Sequence, residues 1–267
     1  MGKIKRYIHL YFSCLKRSLI SRLEYKKDTV IAIFSFLISN VASILAIYFV
    51  ISSIPSLDGW SFIQVGFLYG FSMLPVSIDH LFSDDLWNVA YSKVKQGELD
   101  RYFLRPVPVL FQVISETFQP EGFGELLVGI IMMCVCGANL SIDWSFSFVL
   151  LLVVATIFGG LIITSLKIIC AALAFVFKRS GPLLQVVYDF ISYTRYPLSI
   201  FPKFVKYILM FVFPFALVIS LPIETLIFET WNPYILSLII IGGSLSLLGI
   251  SIIIWSICAK RYESTGS

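Results

Sequence analysis

Long apolar runs, each about the length a bilayer demands, alternate along the chain with short polar stretches. The first run covers residues 29–54 and is closed by Pro55 and Ser56. A turn at 56–60 leads into a second run at 62–78, and Asp79, His80, Asp84 and Asp85 are expected to mark its exit into water. The third segment, 109–133, is mixed. Its first half carries Gln112, Glu116, Gln119, Pro120 and Glu121, and only 126–135 is free of polar side chains. A fourth run, 146–177, is long enough to cross with tilt. Gly181-Pro182 opens a fifth segment that ends near Tyr196-Pro197. The stretch 204–221 is apolar but holds Pro214 near its middle and is followed by Pro222, and 234–258 is the last run. A helix needs about 20 predominantly apolar residues to span hydrocarbon, so the pattern predicts an all-α polytopic membrane protein.

Charge placement sets the expected topology. Lys3, Lys5, Arg6, Lys16, Arg17, Arg22, Lys26 and Lys27 crowd the first 27 residues, and no Lys or Arg occurs from 28 to 92. Lys93, Lys95, Arg101 and Arg105 form the next cluster, followed by Lys178-Arg179 and finally Lys260-Arg261. Basic loops stay in the cytoplasm, which places both termini inside and requires an even number of crossings. Six transmembrane helices satisfy this if the weakest segment does not cross. That segment is 203–222, interrupted by Pro214, and it is expected to be a re-entrant hairpin on the outer side before the last helix. Arg195, Lys203 and Lys206 then lie outside as exceptions to the charge rule. Within residues 1–27, Ile4, Ile8, Tyr11, Leu15 and Leu19 recur at helical spacing, with Lys5, Arg6, Lys16 and Arg17 elsewhere on the wheel. This predicts an amphipathic helix in the inner interface, with a solvated basic tail as the alternative.

Composition changes the picture little. Of 267 residues, 58% are hydrophobic and 13% charged, and the mean hydropathy is +0.90. The net charge of +4 sits beside membrane runs, so membrane lipid and not nucleic acid is its expected counterpart. Cys14, Cys134, Cys136, Cys170 and Cys258 make no CxxC and have no histidine at ligand spacing, so neither a disulfide framework nor a zinc site is expected. No cleavable signal peptide is expected either.

No phosphate-binding GxxxxGK[ST], HExxH or GxSxG occurs. The chain is expected to hold no catalytic, cofactor or metal residues of its own. His80 beside Asp79 reads as a solvated helix end, with a proton relay as the alternative. Lys167 and Asp189 fall inside apolar runs. They are candidates for an ion pair lining a path, and Lys167 snorkelling to an interface is the alternative.

The loop 84–108 carries the most specific signal. Leu86, Val89, Ala90 and Val94 share a helical face that runs up to Gly97, a natural helix stop, and a second short helical turn follows at 99–104. The loop is either shaped to dock into a soluble partner or is an ordinary interfacial connector. Its string Gly97-Glu98-Leu99-Asp100-Arg101-Tyr102-Phe103-Leu104-Arg105-Pro106 resembles the G-x-L-D-x-x-L-x-R-P loop of permease subunits in type-2 ATP-binding-cassette (ABC) exporters, with Phe103 departing from the usual Leu. Leu23-Glu24-Tyr25-Lys26-Lys27-Asp28 and Tyr196-Pro197-Leu198-Ser199-Ile200-Phe201-Pro202 resemble other motifs of that branch.

The resemblance implies one permease domain over 1–267 with the layout reached above. It also implies a second permease subunit, alike or different, and two separate ATPase subunits, with ATP and magnesium bound on those partners and no cofactor here. The setting it implies is a bacterial plasma membrane. The expected function is outward movement of an amphipathic or lipid-like solute. The competing class is a membrane-embedded enzyme or scaffold, for which Glu116, Glu121 and Glu125 would be the acids. Coupling to the ATPase is expected through Leu86, Trp87, Val89, Ala90 and Val94 packed into a partner groove. Glu98, Asp100 and Arg101 would lie at its rim or hold the loop in shape. Trp87 and Val89 should therefore matter more than Lys93.

Overall fold

The computed structural model describes residues 3–24 and 58–263, together with single positions between 31 and 49. Most of the first apolar run, 29–54, lies outside the described residues. Among those described there are helices and turns but no strand.

Helix α1 (Lys3–Glu24) precedes that run. Tyr11, Leu15 and Leu19 are half-buried while Lys16 and Arg17 are exposed, as the spacing predicts. The side chains of Ile4 and Ile8 lie outside the described set. Helix α2 (Phe62–Ser83) starts at a capping box: the Ser61 hydroxyl accepts from the Gln64 N–H, and the Gln64 side chain accepts from the Ser61 N–H. It continues past the predicted end at residue 78, and Asp79 is fully buried within it. The expected exit into water at Asp79 is thus corrected.

The third segment is two helices, α3 (Val109–Glu116) and α4 (Glu121–Gly137), bent by 69°. Thr117 is extended (φ −121°, ψ 125°) and Pro120 stands just before α4, where a proline ring ends the preceding turn. Helix α5 (Phe146–Phe177) has 32 residues, α6 (Gly181–Tyr193) only 13, and α7 (Pro233–Ala259) 27. Asn232 caps α7 through the N–H groups of Tyr234 and Ile235. Helices α2, α5 and α7 are long and apolar enough to cross a membrane, and α3–α4 is a fourth if the bent pair is one span.

Between α6 and α7 the backbone is broken into α8 (Lys203–Tyr207), a wider π turn (Ile208–Val212), α9 (Phe215–Val218) and α10 (Ser220–Phe228). The break falls at Phe213-Pro214, where the proline removes a helical donor. Phe215, Ala216, Val218 and Ile219 are fully buried in the central core.

Helix α5 is central, packed against α2 on one side and α7 on the other. Small residues permit the close crossings. A Cβ on Gly129 would stand 2.7 Å from the Gly70 carbonyl oxygen, and one on Gly159 would stand 3.0 Å from Pro75. The outer faces are apolar as well: Leu238 is 69% exposed, Ile253 60% and Leu127 61%. Helices that are apolar on every side need an apolar surround.

Candidate functional site

The loop between α2 and α3 folds as a short helix Asp85–Asn88, a π turn Val89–Lys93, a stop at Gly97 (φ 71°) and a turn of helix Asp100–Phe103. The positive φ suits glycine and ends the first helical stretch where the sequence predicts.

The loop's apolar face does not point outward. Leu86, Val89, Ala90, Val94 and Leu99 are fully buried within the chain. With Tyr102 they join Val113 of α3, Ala171 and Phe175 of α5, and Trp255 and Cys258 of α7 in a separate small core, Ala90 alone facing the central one. The packing of Leu86, Val89, Ala90 and Val94 into a partner groove is therefore corrected: these side chains anchor the loop to its own helices. Trp87 is half-buried and lies beside Tyr91 and Tyr188, with ring centroids 5.7 and 4.9 Å away.

Beneath the loop is a polar hub. The Lys93 ammonium donates to Asp85 at 2.7 Å, to the Tyr102 hydroxyl at 2.9 Å and to Glu116 at 3.3 Å. Arg101 donates to the other oxygen of Glu116 at 3.4 Å. The Gln112 amide donates to the carbonyls of Tyr102 and Val107 at 2.9 and 2.8 Å. Lys93 is thus a buried structural cation.

Asp100 is held from the far end of the chain. The Tyr262 hydroxyl donates to it at 2.7 Å, and the Tyr262 ring stacks on Phe103 with centroids 5.0 Å apart. Burial, followed by the hydrogen bond to Asp100 and its negative charge, pushes the Tyr262 phenol above its ordinary range. What remains exposed at the loop tip is Lys95, Glu98, Arg101, Phe103, Leu104 and Arg105, with Leu104 87% exposed.

A second cluster lies between the helices. Lys167 of α5 and Asp79 of α2 are fully buried and 2.7 Å apart. Lys167 also donates to Asp84 at 3.3 Å. Asp79 accepts from Thr164 at 2.7 Å, from Ser83 and from Tyr188 of α6. His80 stands 2.8 Å from Glu125 of α4 and stacks on Tyr188. The Gln119 amide donates to Asp84 at 2.6 Å. One network thus ties four helices at the place where a buried charge must be paired.

The candidate pair Lys167–Asp189 is corrected. Asp189 is exposed on α6 and accepts from Gln185 at 3.1 Å. The true partners, Asp79 and Asp84, escaped because both were taken to be in water. Asp79 and His80 likewise do not form a solvated helix end.

Midway along α2, a cavity of about 180 Å³ is lined by Asn40, Ser72, Glu125 and Arg195. The Arg195 guanidinium lies 5.6 Å from the Tyr69 ring, seven residues into α2 and so about 10 Å below its start. Among the described residues no group of three or more His, Cys, Asp or Glu is placed to hold a metal ion.

A family model described as ABC-2 family transporter protein matches residues 37–266. No curated protein and no solved structure matches the chain. The matched region takes in α2 to α7, the anchored loop and the broken segment before α7. The chain therefore belongs to the ABC-2 family of transporter proteins, as a multi-pass membrane permease.

Proposed function

We propose that this chain is the permease subunit of an exporter that moves an amphipathic or lipid-like solute outward, driven by ATP hydrolysed on separate subunits. One observation carries the reading: the loop 84–108 is anchored at its root and exposed at its tip. Its root is locked to α3, α5 and α7 by a buried apolar core and by the Lys93 hub, while Lys95, Glu98 and Leu104 at its tip are exposed. A push on the tip must move the helices, because a packed core transmits displacement instead of absorbing it. The contact to the ATPase is assigned to Lys95, Glu98, Phe103 and Leu104, and Asp100 holds the tip in shape through Tyr262.

The remaining layout follows the same reading. The whole chain, 1–267, is one permease domain with six crossings and both termini cytoplasmic, in a bacterial plasma membrane. The crossings are the first run, α2, the bent α3–α4 pair, α5, α6 and α7. Segment 203–222 dips into the outer leaflet and returns, since broken backbone at membrane depth needs protein around it and α9 is buried in the core. Helix α1 lies in the inner interface. Two ATPase subunits and a second permease, alike or different, complete the transporter. The cavity at Ser72, Glu125 and Arg195 replaces Lys167 and Asp189 as the candidate stretch of the path.

The test is co-purification of the chain with the ATPase encoded beside it, followed by hydrolysis in proteoliposomes. Leu104→Asp should leave the permease folded, while the partner's hydrolysis no longer responds to an amphipathic cargo. An ATPase that neither co-elutes nor changes its rate with the permease would defeat the reading.

A further inference from the structure

A cavity of about 280 Å³ opens between α1 and the loop, and three arginines from two stretches of chain line it: Arg17 of α1, and Arg101 and Arg105 of the loop. Arg101 and Arg105 lie over the Tyr102 ring, 5.2 and 5.9 Å from its centroid, so one phenol holds both guanidinium groups. Glu116 on the same wall is already engaged by Lys93 and Arg101. Among the described residues, Arg105 donates to the neutral Gln112 oxygen at 3.5 Å and to no carboxylate. Arg17 has no carboxylate partner among the described residues. The lining thus holds three arginines against the single carboxylate of Glu116, which Lys93 also engages, so the cavity wall carries surplus positive charge.

The surroundings say what kind of anion fits. The cavity is walled by α1 and by Gln112, Ser115 and Glu116 of α3, at the start of a proposed crossing. A cationic cradle at the proposed membrane interface, where a crossing begins, matches a molecule with a phosphate head and acyl tails. We infer that Arg17, Arg101 and Arg105 form a binding site for the phosphate headgroup of an anionic phospholipid of the inner leaflet. Arginine forks recognise phosphate oxygens in pairs, and each basic residue near an anionic surface adds about fivefold in affinity. The bound headgroup would bridge α1 to the loop that carries the exposed tip.

The inference rests on the interfacial placement of α1 proposed above. It is tested on the chain alone, so a failure here is separate from a failure of ATP coupling. Native mass spectrometry of the purified chain, titrated with phosphatidylglycerol, phosphatidylcholine and inorganic phosphate, reads the site directly. Phosphatidylglycerol should be retained and phosphatidylcholine not. Arg17→Gln touches none of the Tyr102 contacts and should weaken retention about fivefold, whereas Lys95→Gln on the tip should not. Arg105→Lys should bind more strongly than Arg105→Gln. Cys14 lines the same cavity, so phosphatidylglycerol should also slow its alkylation, followed at the Cys14 peptide.

Equal binding of the two lipids, or wild-type retention in Arg17→Gln and Arg105→Gln, would overturn the site. Displacement of the lipid by inorganic phosphate at matched concentration would reassign it to a free anion. Loss of ATPase recruitment with lipid binding unchanged would reassign it to a protein partner. Either reassignment would end the lipid inference.

Discussion

Lys167 shows how much depends on single side chains here. Its ammonium is fully buried with two carboxylate partners, and removing one member of such a group leaves an uncompensated charge that costs about 3–5 kcal/mol. Lys167→Met should therefore lower thermal stability in detergent sharply, and Asp79→Asn in the same chain should restore part of it. Stability equal to wild type in Lys167→Met would show that the cluster carries no structural weight. Tyr262 acts at the other end of the scale. Tyr262→Phe removes one hydrogen bond to Asp100, worth about 0.5–1.5 kcal/mol. Because the phenol is raised above its unfolded value near 10, that contribution is complete below pH 10 and is lost only as pH climbs through the raised value. Unfolding midpoints of wild type and Tyr262→Phe should thus differ by a constant amount from pH 6 to 9. A gap that closes within that range would contradict the assignment.

At the scale of elements, the loop separates residues that hold it from residues that present it. Val89 is fully buried and Leu104 is 87% exposed. Val89→Asp should fail to accumulate as folded protein. Leu104→Asp should change stability by no more than about 0.5 kcal/mol and still cut the partner's response. Size-exclusion profiles with fluorescent detection separate the two outcomes, and similar folding losses in both variants would refute the division. The crossing of α2 and α4 is set in the same way by contact distance. Gly129→Val would force a methyl-bearing carbon to within 2.7 Å of the Gly70 oxygen, an overpacking that costs about 1–3 kcal/mol. Gly249 has open space around it, so Gly249→Val is the matched control and should be tolerated.

For the whole molecule, the proposed layout puts the chain ends on one side and the α10–α7 connection on the other. In a background with the native cysteines replaced, Thr230→Cys should react with an impermeant maleimide in intact cells, and Glu263→Cys only after permeabilisation. Labelling of Glu263→Cys in intact cells would reverse the topology and remove the loop from the compartment that holds ATP.

Much of this was legible in the residues themselves. Apolar runs at 62–78, 146–177 and 234–258 announced α2, α5 and α7 because bilayer thickness dictates run length whatever the packing. Gly97 and Pro214 marked the breaks through local backbone geometry. The loop motif pointed to the family that the matched region bears out. Charge pairing was not legible. Lys167 meets Asp79 and Asp84 across more than 80 positions, and nothing in local spacing reports a partner that distance away. Nor does helical periodicity say what covers an apolar face. Leu86, Val89 and Val94 look the same in sequence whether the groove that receives them belongs to a partner or to the chain's own α3, α5 and α7. Periodicity and run length are properties of a segment and its solvent, so the sequence by itself determined the helices and the membrane. Which charges neutralise each other and which apolar face stays open depend on where distant segments meet, and only the tertiary structure decided those.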